Sequence, residues 1–109
     1  MGRAWTAVAA AGVLALACGG PEDVSGLGAL ELDGDATRGE ALFAFHCASC
    51  HGADGSGGSQ GVDLREEVPH HSDRELVRIM ANGTGIMSAP GLTDQEIADV
   101  LAYLRETFR

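Results

Sequence analysis

The stretch Cys47-Ala48-Ser49-Cys50-His51 constrains this chain more than any other. Two thiols stand three positions apart, which places them on one side of a helical turn, and an imidazole follows the second thiol directly. The chain has 109 residues, one small domain at most. A domain of that size buries little surface for its length, so such folds lean on a staple: disulfides, a metal or a bound group. Whatever fills that role here must engage these three side chains.

Around the motif the pattern predicts three main helices and no strand. Asp35 reads as the N-cap of a first helix that runs into the motif. Gly39 and Phe43 lie four apart on one face of it. A glycine inside a helix costs stability, so another backbone is expected to pass close to Gly39. Ser72 and Glu75 form an S-x-x-E capping box for a second helix, with Leu76, Val77, Ile79 and Met80 as its apolar face and Asn82-Gly83 as its stop. Thr93 and Glu96 form another such box. After it, Ile97, Val100, Leu101, Leu104 and Phe108 make one helical stripe. Gly52 to His71 reads as a long Gly-rich loop, and a second irregular loop begins at Ile86. An all-α fold of three helices with loops this large needs something at its centre.

The spacing C-x-x-C-H is the attachment signature of covalent haem c. Each cysteine can add to one haem vinyl group as a thioether, and the adjacent histidine can donate an imidazole nitrogen to the iron. Three rival readings fit less well. A redox pair would need a strand-rich, thioredoxin-like context. A zinc site from Cys47, Cys50, His70 and His71 would need two neighbouring histidines on one ion, against the usual spacing of about three to five residues. A Cys47–Cys50 disulfide would explain neither His51 nor the empty centre. The candidates for a second axial ligand are Met80, Met87, His46, His70 and His71. Met80 sits on a helical apolar face, where methionine is usually core filler. Met87 sits in a loop that can present a thioether. His46 is beside the attachment site, and His70 and His71 precede the Ser72 cap.

From Asp35 to Arg109 the chain resembles the small bacterial monohaem class I c-type cytochromes. The likeness rests on G-x-x-L-F-x-x-x-C-x-x-C-H-G from Gly39 to Gly52, N-G-x-G-x-M from Asn82 to Met87, and the run from Leu92 to Leu104. The resemblance implies a cytochrome c-like fold around one covalent haem c per chain. Cys47 and Cys50 would carry the thioethers, with His51 as proximal and Met87 as distal ligand of the iron. Gly39 and Phe43 would cross the last helix near Val100 and Tyr103. Two positions depart from the pattern. Ser88 follows Met87 where relatives often have proline. Val62 stands where relatives have a proline whose carbonyl accepts the proximal histidine's N–H; only the carbonyl is required, and Val62 has one. The implied function is electron carriage between a protein donor and a protein acceptor, not enzymatic turnover. The alternatives are a five-coordinate haem domain, as gas sensor or weak peroxidase, and a haem subunit of a larger redox complex.

The N-terminal residues 1–17 read as a signal peptide: one early charge at Arg3, an apolar run of about a dozen residues, then small residues. That run is shorter than the roughly 20 residues a spanning helix needs. Leu14-Ala15-Leu16-Ala17-Cys18 resembles a lipobox, which makes Cys18 the candidate lipidation site and anchors the chain to a membrane through lipid. Residues 18–34 read as an acidic, Gly-rich tether, and 35–109 as the haem domain. An exported protein, periplasmic or on the outer face of a bacterial membrane, is expected. Sixteen acids face seven arginines and no lysine. That excludes a nucleic-acid partner and favours redox partners with basic docking patches.

Overall fold

A computed structural model describes residues 26–58, 61–84 and 87–109. The expected signal peptide, residues 1–17, and the candidate lipidation site Cys18 lie outside the described residues. Among the described residues the chain is all-helical, with a 3-10 turn at Leu27–Glu31 followed by α1 (Ala36–His46), α2 (Ala48–His51), α3 (Leu64–His70), α4 (Asp73–Asn82) and α5 (Asp94–Thr107). No helix among them is long and apolar enough to cross a membrane.

The helix starts follow from their caps. The Asp35 carboxylate accepts from the backbone N–H groups of Thr37 and Arg38. Both capping boxes are complete: Ser72 with Glu75 opens α4, and Thr93 with Glu96 opens α5. Each satisfies backbone donors that the first helical turn leaves without partners. Gly83, with φ 76°, closes α4 where Asn82-Gly83 was expected to stop it.

The principal crossing is α1 on α5. Gly39 makes it possible: a Cβ there would collide with the carbonyl oxygen of Asp99 and come within 2.9 Å of the Tyr103 Cβ. The ring of Phe43, one turn further on, lies 5.3 Å from that of Tyr103 and 6.3 Å from that of Phe108. The expected stripe of α5 faces inward, with Ile97, Val100, Leu104 and Phe108 buried and Leu101 at its edge. Leu76, Val77 and Met80 of α4 complete the core, so Met80 is core filler. Each such side chain contributes about 1.5–3 kcal/mol by leaving water.

Three features differ from the sequence expectation. The stretch between Gly52 and His71 is not all loop, because α3 interrupts it; Asp63 caps α3 by accepting from Arg65 N–H, and Val68 is fully buried. The described end of the expected tether packs rather than hangs free. Ala29 is buried, and a Cβ on Gly34 would collide with the Ala98 carbonyl of α5. The third difference is polar. Asp99 is completely buried on α5, its Oδ1 accepting from the Asp35 N–H at 2.8 Å and from Gln95 Nε2 at 3.1 Å. The Arg38 guanidinium stands 3.7 Å from the other oxygen, Oδ2. This carboxylate ties the start of α1 to the middle of α5. Arg105 ties the other end of α5 to the α3–α4 junction. Its guanidinium donates to the Val68 carbonyl at 2.7 Å, the His71 carbonyl at 2.6 Å and the Asp73 carboxylate at 2.7 Å. The bond to His71 satisfies a carbonyl that the end of the helix leaves open, while the Val68 carbonyl also accepts from the His71 N–H.

Candidate haem-attachment site

The single turn α2 carries the motif. It follows α1 almost without a break: Cys47 N–H still donates to Phe43 O, and His51 N–H to Cys47 O. The α1–α5 crossing therefore fixes where the motif stands. Cys47 is half-buried and packs against the core, while Cys50 and Ser49 are exposed. The two cysteines are not joined to each other. Burial raises the Cys47 thiol to about 11, and the neighbouring Cys50 pushes the same way. A redox-active C-x-x-C pair works through a lowered thiol pKa, so this environment is the opposite of what that chemistry needs. A thioether has no proton to lose and carries no such cost.

The Gly-rich segment folds back over the motif. Gly57 N–H donates to His51 O at 2.7 Å, and Gly61 N–H to Cys50 O at 2.7 Å. These bonds satisfy carbonyls at the end of α2 that the helix itself cannot. The return brings Gly61 against the imidazole, where a Cβ would lie 2.5 Å from His51 Nδ1 and 2.7 Å from Cys50 O. The next residue supplies the anchor: Nδ1 of His51 stands 3.2 Å from the Val62 carbonyl oxygen. A carbonyl can only accept, so Nδ1 carries the proton and Nε2 keeps the lone pair that a metal takes. The hydrogen bond also fixes the orientation of the ring. Thus Val62 serves without being proline.

Met87 is half-buried in the loop after α4. Its N–H donates to Thr84 Oγ1 at 3.0 Å, and its carbonyl accepts from the Thr84 N–H at 2.8 Å. The other ligand candidates have different surroundings. His46 lies edge-on against Phe45, with ring centroids 4.8 Å apart. His70 ends α3 and is exposed. His71 Nε2 is 3.2 Å from Glu67 and its Nδ1 3.4 Å from Glu75. Among the described residues no three His, Cys, Asp or Glu side chains converge on one point, so the zinc reading finds no geometry to support it. Two thiols at attachment spacing and not joined in a disulfide, beside an imidazole anchored through Nδ1, fit a covalent haem. Phe45 and Val62, both largely exposed, put apolar surface next to the motif. Sequence reasoning missed Gly61 and Thr84, because their roles are contacts across a loop and leave no periodic signal.

Residues 34–104 match the family described as cytochrome C oxidase, cbb3-type, subunit III. Among curated relatives, the chain is similar to a "Cytochrome c-553-like" protein of Synechocystis sp., at 39% identity over 80 residues, covering 70% of this chain and 72% of that one. It is similar to "Cytochrome c-551" of Bacillus subtilis at 32% identity over 97 residues, covering 86% of this chain and 85% of that one. A third likeness, 38% over 82 residues, is to the "Dihydro-heme d1 dehydrogenase" of Pseudomonas aeruginosa, covering 72% of this chain and 16% of the longer protein. No solved structure matches the chain at comparable significance.

Proposed function

Because this chain belongs to the c-type cytochromes, in the cbb3-type subunit III family, and is an electron-carrying protein with covalent haem c, we propose that His51 and Met87 are its axial ligands and that it passes single electrons between two protein partners outside the cytoplasm. The observation that carries this reading is the 3.2 Å contact between His51 Nδ1 and the Val62 carbonyl, which leaves the other ring nitrogen free to ligate. When bound, the haem supplies a one-electron change of valence at iron. The chain's own residues set the terms of that change. Cys47 and Cys50 fix the group covalently. The Val62 carbonyl makes the His51 ligand more electron-donating. Met87 offers a soft thioether, which favours the reduced state and raises the potential relative to a second histidine. With both positions held by protein, no site is left for a substrate, so the chain carries electrons and does not turn over.

Net acidic charge favours partners with basic patches, and encounters of this kind are small and short-lived. Export follows from the signal-like residues 1–17 and from where thioether attachment is carried out; Cys18 would then be the lipid anchor.

The ligand assignment has a direct test. Oxidised wild-type protein should show the weak far-red absorption band of methionine-ligated haem, and Met87→Ala should lose it while keeping its bound haem. The variant should also bind carbon monoxide when reduced. A wild type that lacks the band and binds carbon monoxide readily would point to the five-coordinate alternative.

A further inference from the structure

The loop that presents Met87 lacks the proline that would stiffen it, since Ser88 follows the methionine. A thioether is a weak ligand that other donors readily displace, so its hold depends on how little the loop moves. What stands in place of the proline is one residue. Thr84 accepts from Met87 N–H through Oγ1 at 3.0 Å and donates its own N–H to Met87 O at 2.8 Å. Both backbone polar groups of Met87 are therefore bonded to a single partner, and the two bonds straddle the Met87 Cα. Shifting Met87 along the loop breaks the pair together. Thr84 itself is set at the end of α4, one residue past Gly83, on a helix whose Leu76, Val77 and Met80 are buried in the core. The clamp thus refers the position of Met87 back to the rigid part of the fold.

We propose that Thr84 is a positioning residue for the distal ligand, its hydroxyl holding the Met87 backbone so that the thioether resists displacement. This rests on Met87 being the ligand, as put forward above. The hydroxyl is the separable part, because valine or serine at this position keeps the backbone N–H. Thr84→Val keeps the shape and removes the acceptor; Thr84→Ser restores it. Thr84 is exposed, so neither change disturbs the core.

The experiment titrates oxidised holoprotein with imidazole, which competes for the distal position, and follows the far-red band. Losing one hydrogen bond of ordinary strength should make imidazole bind about three- to tenfold more tightly to Thr84→Val, with Thr84→Ser close to wild type. A merely structural role would lower the melting temperature and leave imidazole affinity unchanged. Equal affinities in wild type and Thr84→Val overturn the proposal, and so does a Thr84→Ser variant that behaves like Thr84→Val. A wild type with no far-red band at all refutes the ligand assignment itself, and that failure is visible before any variant is made.

Discussion

His51→Ala is expected to leave little folded holoprotein. The motif helix α2 is a single turn and too short to persist alone. It is held by its continuity with α1 and by the carbonyls of Cys50 and His51, which bond the returning Gly-rich loop. The ring of His51 sits against Gly61 and bonds the Val62 carbonyl, so alanine removes both the anchor of that loop and an expected ligand. A group bound by the native state and not by the unfolded chain adds its binding free energy to stability. Domains of this size have only about 5–15 kcal/mol in total, so loss of about 3 kcal/mol or more is severe. The checks are circular dichroism and the yield of haem-bearing chain from matching cultures. A helical His51→Ala protein melting like wild type would contradict the expectation.

Gly39 gives the second large effect, and its sign is informative. In an isolated helix, alanine is about 1 kcal/mol better than glycine, so propensity alone predicts that Gly39→Ala stabilises. In the folded chain the added Cβ meets the Asp99 carbonyl oxygen and the Tyr103 Cβ. Overpacking of this sort costs about 1–3 kcal/mol, and the contact falls on backbone, which cannot swing away. Gly39→Ala should therefore destabilise despite better propensity. Gly39→Val should do so further, because it would also part Phe43 from Tyr103 and draw Asp35 away from the buried Asp99 carboxylate. Thermal unfolding of the holoproteins measures this. A higher melting temperature for Gly39→Ala would show that α1 and α5 do not touch there.

Gly39 was legible in the sequence because a glycine is out of place in a helix unless something needs the room. The capping boxes at Ser72 and Thr93 were legible for a similar reason: their signal is local, two residues at fixed spacing. The attachment motif belongs to the same kind, whereas the Val62 carbonyl was expected only through the resemblance to the family. Helix α3 was not legible. It has seven residues with Pro69 among them, too few to show a period, and its hold comes from the burial of Val68 and from Arg105, which is 37 positions away in sequence from the carbonyl it bonds. Asp99 was hidden for another reason. It sits beside the apolar stripe of α5, where a carboxylate usually faces water, and its burial is made tolerable by Asp35 and Arg38 at the start of α1 together with Gln95. Thr84 looked like one more small polar loop residue, since a hydroxyl's partner is set by the turn and not by the sequence around it. The 3-10 turn at Leu27–Glu31 carries a single buried alanine, which no composition argument separates from a tether.

The claim on which the rest depends is that this fold is built around a haem bonded to Cys47 and Cys50. Protein matured in a host that attaches haem, then denatured and extracted with acidified acetone, tests it most directly. The colour should stay with the polypeptide, and the intact mass should exceed that of the processed chain by one haem. Pigment that passes into the solvent, leaving a colourless chain of unmodified mass, would contradict it.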